Sequence, residues 1–315
     1  MQFIDNLSLK NLKTIIIADY PSLKIKSTKI INNGWDFLAL EINNKYIFRF
    51  PRQQTSELID YKNNIERMRA EIRVLNGLKN KISLQIPKVK YVGKKFAYFG
   101  YQKINGQKLS MSIIKKLNDR QYNQLVADVA KFLKEIHKAL SLKQAKKLGV
   151  LYENYDSYHQ LITSKIIRPK KITDQKIYNF IVDTVKEYKR MIPKKQLNVF
   201  LYNDLHGDNM AFDKSRGRLN GIFDFSDVMI GDIHLDFIYH FDINFMQDLI
   251  NKYQQITNIK NLNKRRAIIY TRINEISDLA AVINQPNCQV YKRVIKDLKK
   301  WQKEKNIYYE KIFAR

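Results

Sequence analysis

The stretch FLYNDLHGDNMAFD, residues 200–213, carries three aspartates, a histidine and two asparagines, and GIFDFSDVMIGD, residues 221–232, adds three more aspartates. Residues 201–250 hold nine Asp, no Glu and three basic side chains, a local balance of −6 in a chain of formal net charge +27. Carboxylates gathered this closely repel one another unless they bind a divalent cation, accept hydrogen bonds or face a cationic substrate. Asp204 and Asn209 lie five apart in a loop after the apolar VFLY. Asp224 stands between Phe223 and Phe225 at the end of an apolar strand, where a solitary carboxylate is costly to desolvate. One Asp and one Asn offer few ligands, all oxygen, which suits Mg²⁺: it keeps several waters and takes further oxygens from nucleotide phosphates. A second carboxylate beside a substrate hydroxyl would supply orientation and proton acceptance, which is what phosphoryl transfer asks of a protein.

Other chemistries find less support. The five histidines include no His-x-x-x-His pair and have no cysteine partners, so a zinc site is not expected. No Gly-x-Ser-x-Gly or Cys-His arrangement points to a covalent hydrolase. The single cysteine, Cys288, cannot form an internal disulfide. His206 reads as a hydrogen-bonded loop residue.

The elements that must position these residues fall into two textures. IKSTKII, DFLALEI and KYIFRFP read as short strands separated by the turns NNG and NNK, and KVKYVGKKFAYFGYQKI reads as a hairpin entered after Pro87. Between them, Ile65, Met68, Ile72, Leu75 and Leu78 recur at helical spacing, predicting a helix over 56–79. Glu71 falls on the edge of that apolar face, a position that wants a cation. In YIFRF, Phe48 and Phe50 point one way and Arg49 the other, so Arg49 can face a cleft. Beyond INGQKLS, 104–110, helical patterns dominate: Leu125, Val129, Leu133, Ile136 and Leu140 mark one helix, and others run near 174–191, 232–250, 264–284 and 289–305. The expected architecture is α+β, with lobes at 1–103 and 104–315.

The string Asn203-Asp204-Leu205-His206-Gly207-Asp208-Asn209, followed by Ile222-Phe223-Asp224-Phe225 and by Gly231-Asp232 through Asp236-Phe237, resembles the signature of the aminoglycoside phosphotransferase family. NNKYIFRFPR is similar to that family's third strand and AEIRVL to its long small-lobe helix. The resemblance implies a protein-kinase-like, two-lobed fold: a small antiparallel-sheet N-lobe with one long helix, and a mostly helical C-lobe. It also implies a Mg²⁺-dependent kinase acting on a small-molecule hydroxyl with ATP or GTP as donor. Carried over, Asp204 is the catalytic base, Asn209 and Asp224 are Mg²⁺ ligands, and Asp236 is structural. Arg49 stands where the family has a phosphate-contacting lysine, and Glu71 is its partner. FGYQKING resembles the interlobe hinge, with backbone groups near Tyr101 and Lys103 receiving the purine. Asn32, Asn33 and Gly34 form either a phosphate-covering turn or a plain hairpin turn. Tyr202 replaces the histidine that commonly begins the family's His-x-Asp. A second register, with Asp208 as base and Asp213 as ligand, is also open; Asp204 is favoured because it alone puts an Asn at the ligand position.

The acceptor implied first is an aminoglycoside-type antibiotic, with Asp227, Asp232, Asp242, Glu275 and Asp278 as carboxylates for a polycation; a macrolide or another metabolite is the alternative. From another class, a catalytically silent nucleotide- or nucleic-acid-binding protein is the competing reading, drawn from Arg49, Tyr202 and the basic excess. Of the 57 basic residues 42 are Lys, scattered singly, and no zinc-finger spacing or RNP-type motif accompanies them, so nucleic acid is not the expected partner. The opening MQFIDNLSLKNLKTIIIADYP has an apolar run of only about four residues, too short for a signal-peptide core or a membrane span. A cytoplasmic monomer binding a nucleotide and an acceptor, with no membrane partner, is the expectation.

Overall fold

The computed structural model describes residues 1–33, 36–53, 63–192, 196–238 and 242–313. The chain forms two compact units: Met1–Leu151 with Val199–Ile230, and Tyr152–Asn198 with Gly231–Arg315. The junction expected at 104–110 lies inside the first unit.

The first unit begins with α1 (Leu9–Asp19), capped by Ser8, followed by β1 (Thr28–Asn33), β2 (Phe37–Ile42) and β3 (Tyr46–Pro51). Helix α2 (Asn64–Gly77) starts at Asn63, whose side chain accepts from the amides of Ile65 and Glu66. The part of the expected helix between 54 and 62 lies outside the described residues, as does Gly34 of the expected turn. β4 (Val89–Val92) and β5 (Phe99–Gln102) complete a five-stranded antiparallel sheet in the order β1-β2-β3-β5-β4. Asn43 and Asn44 adopt the left-handed conformation at the β2–β3 turn, which asparagine tolerates better than most residues.

The sheet has two apolar faces with different tasks. Leu38, Leu40, Phe48, Phe50 and Tyr98 pack with Leu12, Ile15 and Ile16 of α1, a helix that the sequence pattern did not call. Residues of the opposite parity, Phe37, Ala39, Ile47, Arg49 and Tyr101, line a cavity. All six residues of β3 are buried, so Arg49 is held on the cavity face by the packing of Phe48 and Phe50 behind it.

The chain continues with β6 (Gln107–Lys108), α3 (Met111–Ile114), α4 (Asp119–Ala139), α5 (Leu142–Lys147), β8 (Met210–Asp213) and β9 (Arg218–Ile222) in the first unit, while β7 (Asn198–Leu201) and β10 (Met229–Asp232) run across the points where the chain changes unit. α4 buries the predicted stripe and opens with a capping box between Asn118 and Gln121. β6, β8 and β9 form an antiparallel sheet that carries the acidic loop on β8, and β7 pairs with β10. At Gly106, φ is 147° and a Cβ would meet the Ala211 backbone at 2.8 Å, so only glycine lets β6 approach β8 here.

The second unit holds α6 (Tyr155–Ile162), which runs into a π turn at Thr163–Ile167, then α7 (Gln175–Met191), α8 (Ile243–Ile256), α9 (Lys264–Ala281) and α10 (Gln289–Phe313). α9 is its centre: every residue from Arg266 to Ile273 is buried, and α6, α7 and α10 pack around it. The helix expected over 232–250 is instead a 3₁₀ turn at Ile233–Phe237 followed by α8, which Asp242 caps. The fold is α+β, with a small antiparallel sheet followed by mostly helical structure. Among the described residues no helix is long and apolar enough to cross a membrane.

Candidate active site

Arg49 and Glu71 pair in the structure, and Asp224, which the sequence reading did not place there, joins them. One nitrogen of Arg49, Nη1, donates to Glu71 Oε1 at 2.7 Å and lies 2.7 Å from Asp224 Oδ1. The Phe37 ring lies 4.6 Å from the guanidinium carbon. Burial disfavours charge on Arg49, but Asp224 and Glu71 override it and raise its pKa. Burial lifts the Glu71 carboxyl to about 7 even beside Arg49. Glu71 Oε1 also accepts from the Phe225 amide at 3.1 Å, while its Oε2 is buried with no hydrogen-bond partner among the described residues.

The loop after β7 delivers the second group. Asn209 Nδ2 donates to Asp204 Oδ2 at 2.6 Å, and His206 Nε2 lies 3.1 Å from Asp204 Oδ1. Burial alone would lower the His206 pKa, but the Asp204 carboxylate overrides it and raises it. His206 is thus a partner of the expected base. Asn209 also joins the motifs through the backbone, its carbonyl accepting from the Phe223 amide at 3.0 Å. Tyr202, fully buried, donates its hydroxyl to the Phe223 carbonyl at 2.5 Å and packs edge-on against Phe132 and Phe225. The residue that replaces the family's histidine therefore braces this loop itself.

Asp224 sits at φ 65°, a left-handed conformation that a non-glycine residue holds only when its surroundings fix it. Its Oδ1 accepts from the Ser226 hydroxyl at 2.8 Å. Burial would raise its pKa, but Arg49, the Ser226 hydroxyl and Arg67 hold it below the usual carboxylate range. Arg67, one helical turn before Glu71 on α2, donates to the Ser226 carbonyl at 3.0 Å and to Asp36 Oδ2 at 2.8 Å, and pairs with Asp227. Asp227 is raised to about 6 by burial, which Arg67 opposes and the carboxylates of Asp204 and Asp224 reinforce.

These groups line one cavity of about 410 Å³. Its polar floor is Arg49, Asp204, Asn209 and Asp224; its apolar walls include Ile31, Ala39, Ile47, Met210 and Phe223. Tyr101 is buried in the wall. Lys103 also lines the cavity; its amide donates to the Lys45 carbonyl at 2.8 Å, which leaves the other backbone groups near Tyr101 and Lys103 as the ones to receive a purine, and its ammonium pairs with Glu41 at 2.5 Å.

The sequence model of the phosphotransferase enzyme family (APH) matches residues 27–259, most of the chain and all of this site. The chain belongs to that family. Its fold is similar to that of the GDP complex of wild-type aminoglycoside 2'-phosphotransferase-IIIa, with 20% identity, a TM-score of 0.80 and coverage of 94% of this chain and 99% of that one. The streptomycin–ATP complex of APH(2")-IIa matches at 20% identity and TM-score 0.67, covering 96% and 99% of the two chains. A macrolide 2'-phosphotransferase from Brachybacterium faecium, solved as the apoenzyme, matches at 11% identity and TM-score 0.62, covering 91% and 97%. At such identities these likenesses establish the kinase-like fold.

In this phosphotransferase the donors at Asn209 and Asp224 are all oxygen. Asn209 gives its Nδ2 to Asp204, and its Oδ1 makes no hydrogen bond among the described residues. No group of three or more His, Cys, Asp or Glu among the described residues converges as a complete metal cage. That set fits Mg²⁺, which binds through one or two carboxylates plus waters and phosphate oxygens. Asp36, Glu71, Asp224 and Asp227 share Arg49 and Arg67, and the raised Glu71 and Asp227 carboxyls mark a shortage of positive charge that a divalent cation at Asp224 would relieve.

Most of the other acids are engaged elsewhere. Asp232 is fully buried between Arg266, His234 and Tyr270. Asp242 caps α8, and Glu275 and Asp278 both pair with Arg293. None of these four lines the cavity, and each already has a partner within the chain, Asp232 in the core and Asp278 at the surface, which departs from the substrate-binding expectation. Asp227 alone of that group lines the cavity. Asp208 stands at the cavity rim, exposed and paired with Lys108, while Asp213 lies outside the cavity lining and closes a turn with Ser215 and Arg216, so the second register's ligand does not join its base in the cavity. The signal for Arg67 was present as a spacing of four from Glu71 on one helix face. No such local signal exists for Asp36.

Proposed function

We propose that this phosphotransferase moves the γ-phosphate of ATP or GTP to a hydroxyl of a small molecule. The observation that carries the reading is the convergence of Asp204, Asn209, Asp224 and Arg49 on one cavity. The lobes are proposed as residues 1–103, which supply Arg49 and Glu71, and 104–315, which supply the catalytic loop.

In this reading the apolar wall from Ile31 to Tyr101 takes the base, and Arg49 reaches the phosphates with a guanidinium nitrogen other than Nη1. A Mg²⁺ held by Asp224 and Asn209 would neutralise phosphate charge and favour departure of the diphosphate. Asp204, oriented by Asn209 and His206, accepts the hydroxyl proton. The acceptor oxygen bonds to the γ-phosphorus as the bond from that phosphorus to the β,γ-bridging oxygen breaks, and the nucleoside diphosphate leaves. Most of the acceleration then comes from positioning and charge.

The acceptor proposed first is an aminoglycoside-type alcohol, supported by the acidic cavity residues Asp204, Asp208 and Asp227 and by solved relatives of the same fold such as the GDP and kanamycin complex of APH(2")-IIIa. A less cationic acceptor such as a macrolide is the second reading, favoured because Asp232, Asp242, Glu275 and Asp278 are not among the residues that line the cavity. Nucleotide turnover against a panel of both classes decides between them. Turnover with no acceptor in the panel, or equal turnover in Asp204→Asn, would overturn the assignment.

A further inference from the structure

We propose that Arg67 is a positioning residue for the metal ligand Asp224, tying the turn that opens β2 to the 224–227 loop and so fixing where that carboxylate points; the inference rests on Asp224 binding the cation. Three nitrogens of Arg67 serve three partners. Nε donates to the Ser226 carbonyl at 3.0 Å, Nη1 to Asp36 Oδ2 at 2.8 Å, and Nη2 pairs with Asp227. Only a guanidinium offers donors in this forked plane; an ammonium is a point charge on a flexible stem.

The placement is costly and local. Arg67 is 3% exposed, and burying a guanidinium stabilises little unless its partners are well arranged. Its partners are not spread through the core: two of the three belong to residues two and three positions after Asp224. Asp224 itself holds a left-handed φ of 65°, a conformation that must be fixed by its surroundings. Glu71 supplies one restraint by accepting from the Phe225 amide at 3.1 Å, and Arg67 supplies the next by donating to the Ser226 carbonyl. Helix α2 therefore holds the loop with an acceptor and a donor one turn apart. Asp36, at the other end of the bridge, is itself held by Asn64 Nδ2, which donates to its carbonyl at 3.3 Å. The loop is thereby anchored to the mouth of the β1–β2 hairpin as well as to the helix.

The test uses Mn²⁺ in place of Mg²⁺, titrated by electron paramagnetic resonance into the full chain saturated with GDP or ADP. Arg67→Gln is expected to weaken Mn²⁺ binding about tenfold or more, as loss of a group that orients a metal ligand does, while metal-free nucleotide affinity stays within about twofold. Arg67→Lys is expected to fall between the two. Wild-type Mn²⁺ affinity in Arg67→Gln, with only a lower Tm, would overturn the inference. Should Arg67→Gln fail to fold, Arg67→Lys, which keeps the charge and loses the fork, carries the test: weaker Mn²⁺ binding in that folded chain supports the role, and wild-type binding overturns it. Asp224→Asn separates the two readings. If it keeps Mn²⁺ affinity, the metal assignment fails; if it loses affinity and Arg67→Gln does not, only the role of Arg67 fails.

Discussion

The Tyr202 hydroxyl donates to the Phe223 carbonyl at 2.5 Å and so joins the residue two before Asp204 to the residue immediately before Asp224. A buried phenol thus ties the two motifs together in one bond. Tyr202→Phe keeps the ring between Phe132 and Phe225 but orphans a carbonyl. It is expected to lower stability by about 1 kcal/mol and turnover by about tenfold, read by denaturant unfolding and kcat. Unchanged turnover with lost stability would show that the brace supports folding alone.

Asp204 and Asp208 are four apart in the same loop, yet the structure treats them differently. Asp204 is held by Asn209 and His206, whereas Asp208 is a surface residue paired with Lys108. Asp204→Asn is expected to reduce kcat by about 10²-fold or more with little change in Tm. Asp208→Asn is expected to leave kcat within about twofold, because Asp208 pairs with Lys108 and not with Asp204 or Asn209. The reverse pattern would restore the other register.

How much of this was legible in the sequence depends on whether the signal was local. Strand alternation was enough to turn Arg49 toward the cavity, and helical spacing was enough to put Glu71 on the edge of α2. The motif spacing picked out Asp204, Asn209 and Asp224. By contrast, Arg67 reaches Asp36 and Asp227, 31 and 160 residues away, and no local pattern encodes such pairs. The same holds for the acids once offered to a polycation: Glu275 and Asp278 look free along α9 because Arg293, their partner, lies on α10. Which backbone group near Tyr101 and Lys103 is already engaged, here the Lys103 amide, depends on register, which a strand's composition does not fix.

Glu71 carries a pH signature. Its folded pKa, about 7, lies above the ordinary 4.5 because burial penalises the carboxylate. The native state therefore binds more protons than the unfolded chain between those values, and stability from this group is full below about pH 4.5 and declines as pH rises through 7. Measured without nucleotide and with divalent cations chelated, unfolding free energy should fall from pH 5 to pH 8 by more in wild type than in Glu71→Gln. An identical slope in the two proteins would place the titration elsewhere.

Asp232 separates a structural acid from a substrate contact. Its Oδ2 lies 2.8 Å from Arg266 Nε and 3.1 Å from the Tyr270 hydroxyl, its Oδ1 lies 2.6 Å from His234 Nδ1, and its amide donates to the Tyr155 hydroxyl. The Asn263 amide donates to His234 Nε2 at 2.9 Å, so His234 carries its proton on Nδ1 and donates it to Asp232. Removing the carboxylate strands a buried guanidinium, and breaking such a pair costs about 3–5 kcal/mol. Asp232→Ala should therefore lose several degrees of Tm at least, with KM for the acceptor unchanged in whatever folded fraction remains. A rise in acceptor KM at wild-type Tm would return Asp232 to the substrate site, whereas loss of stability alone means that the acceptor must be recognised by other groups, with Asp227 the candidate the cavity still offers.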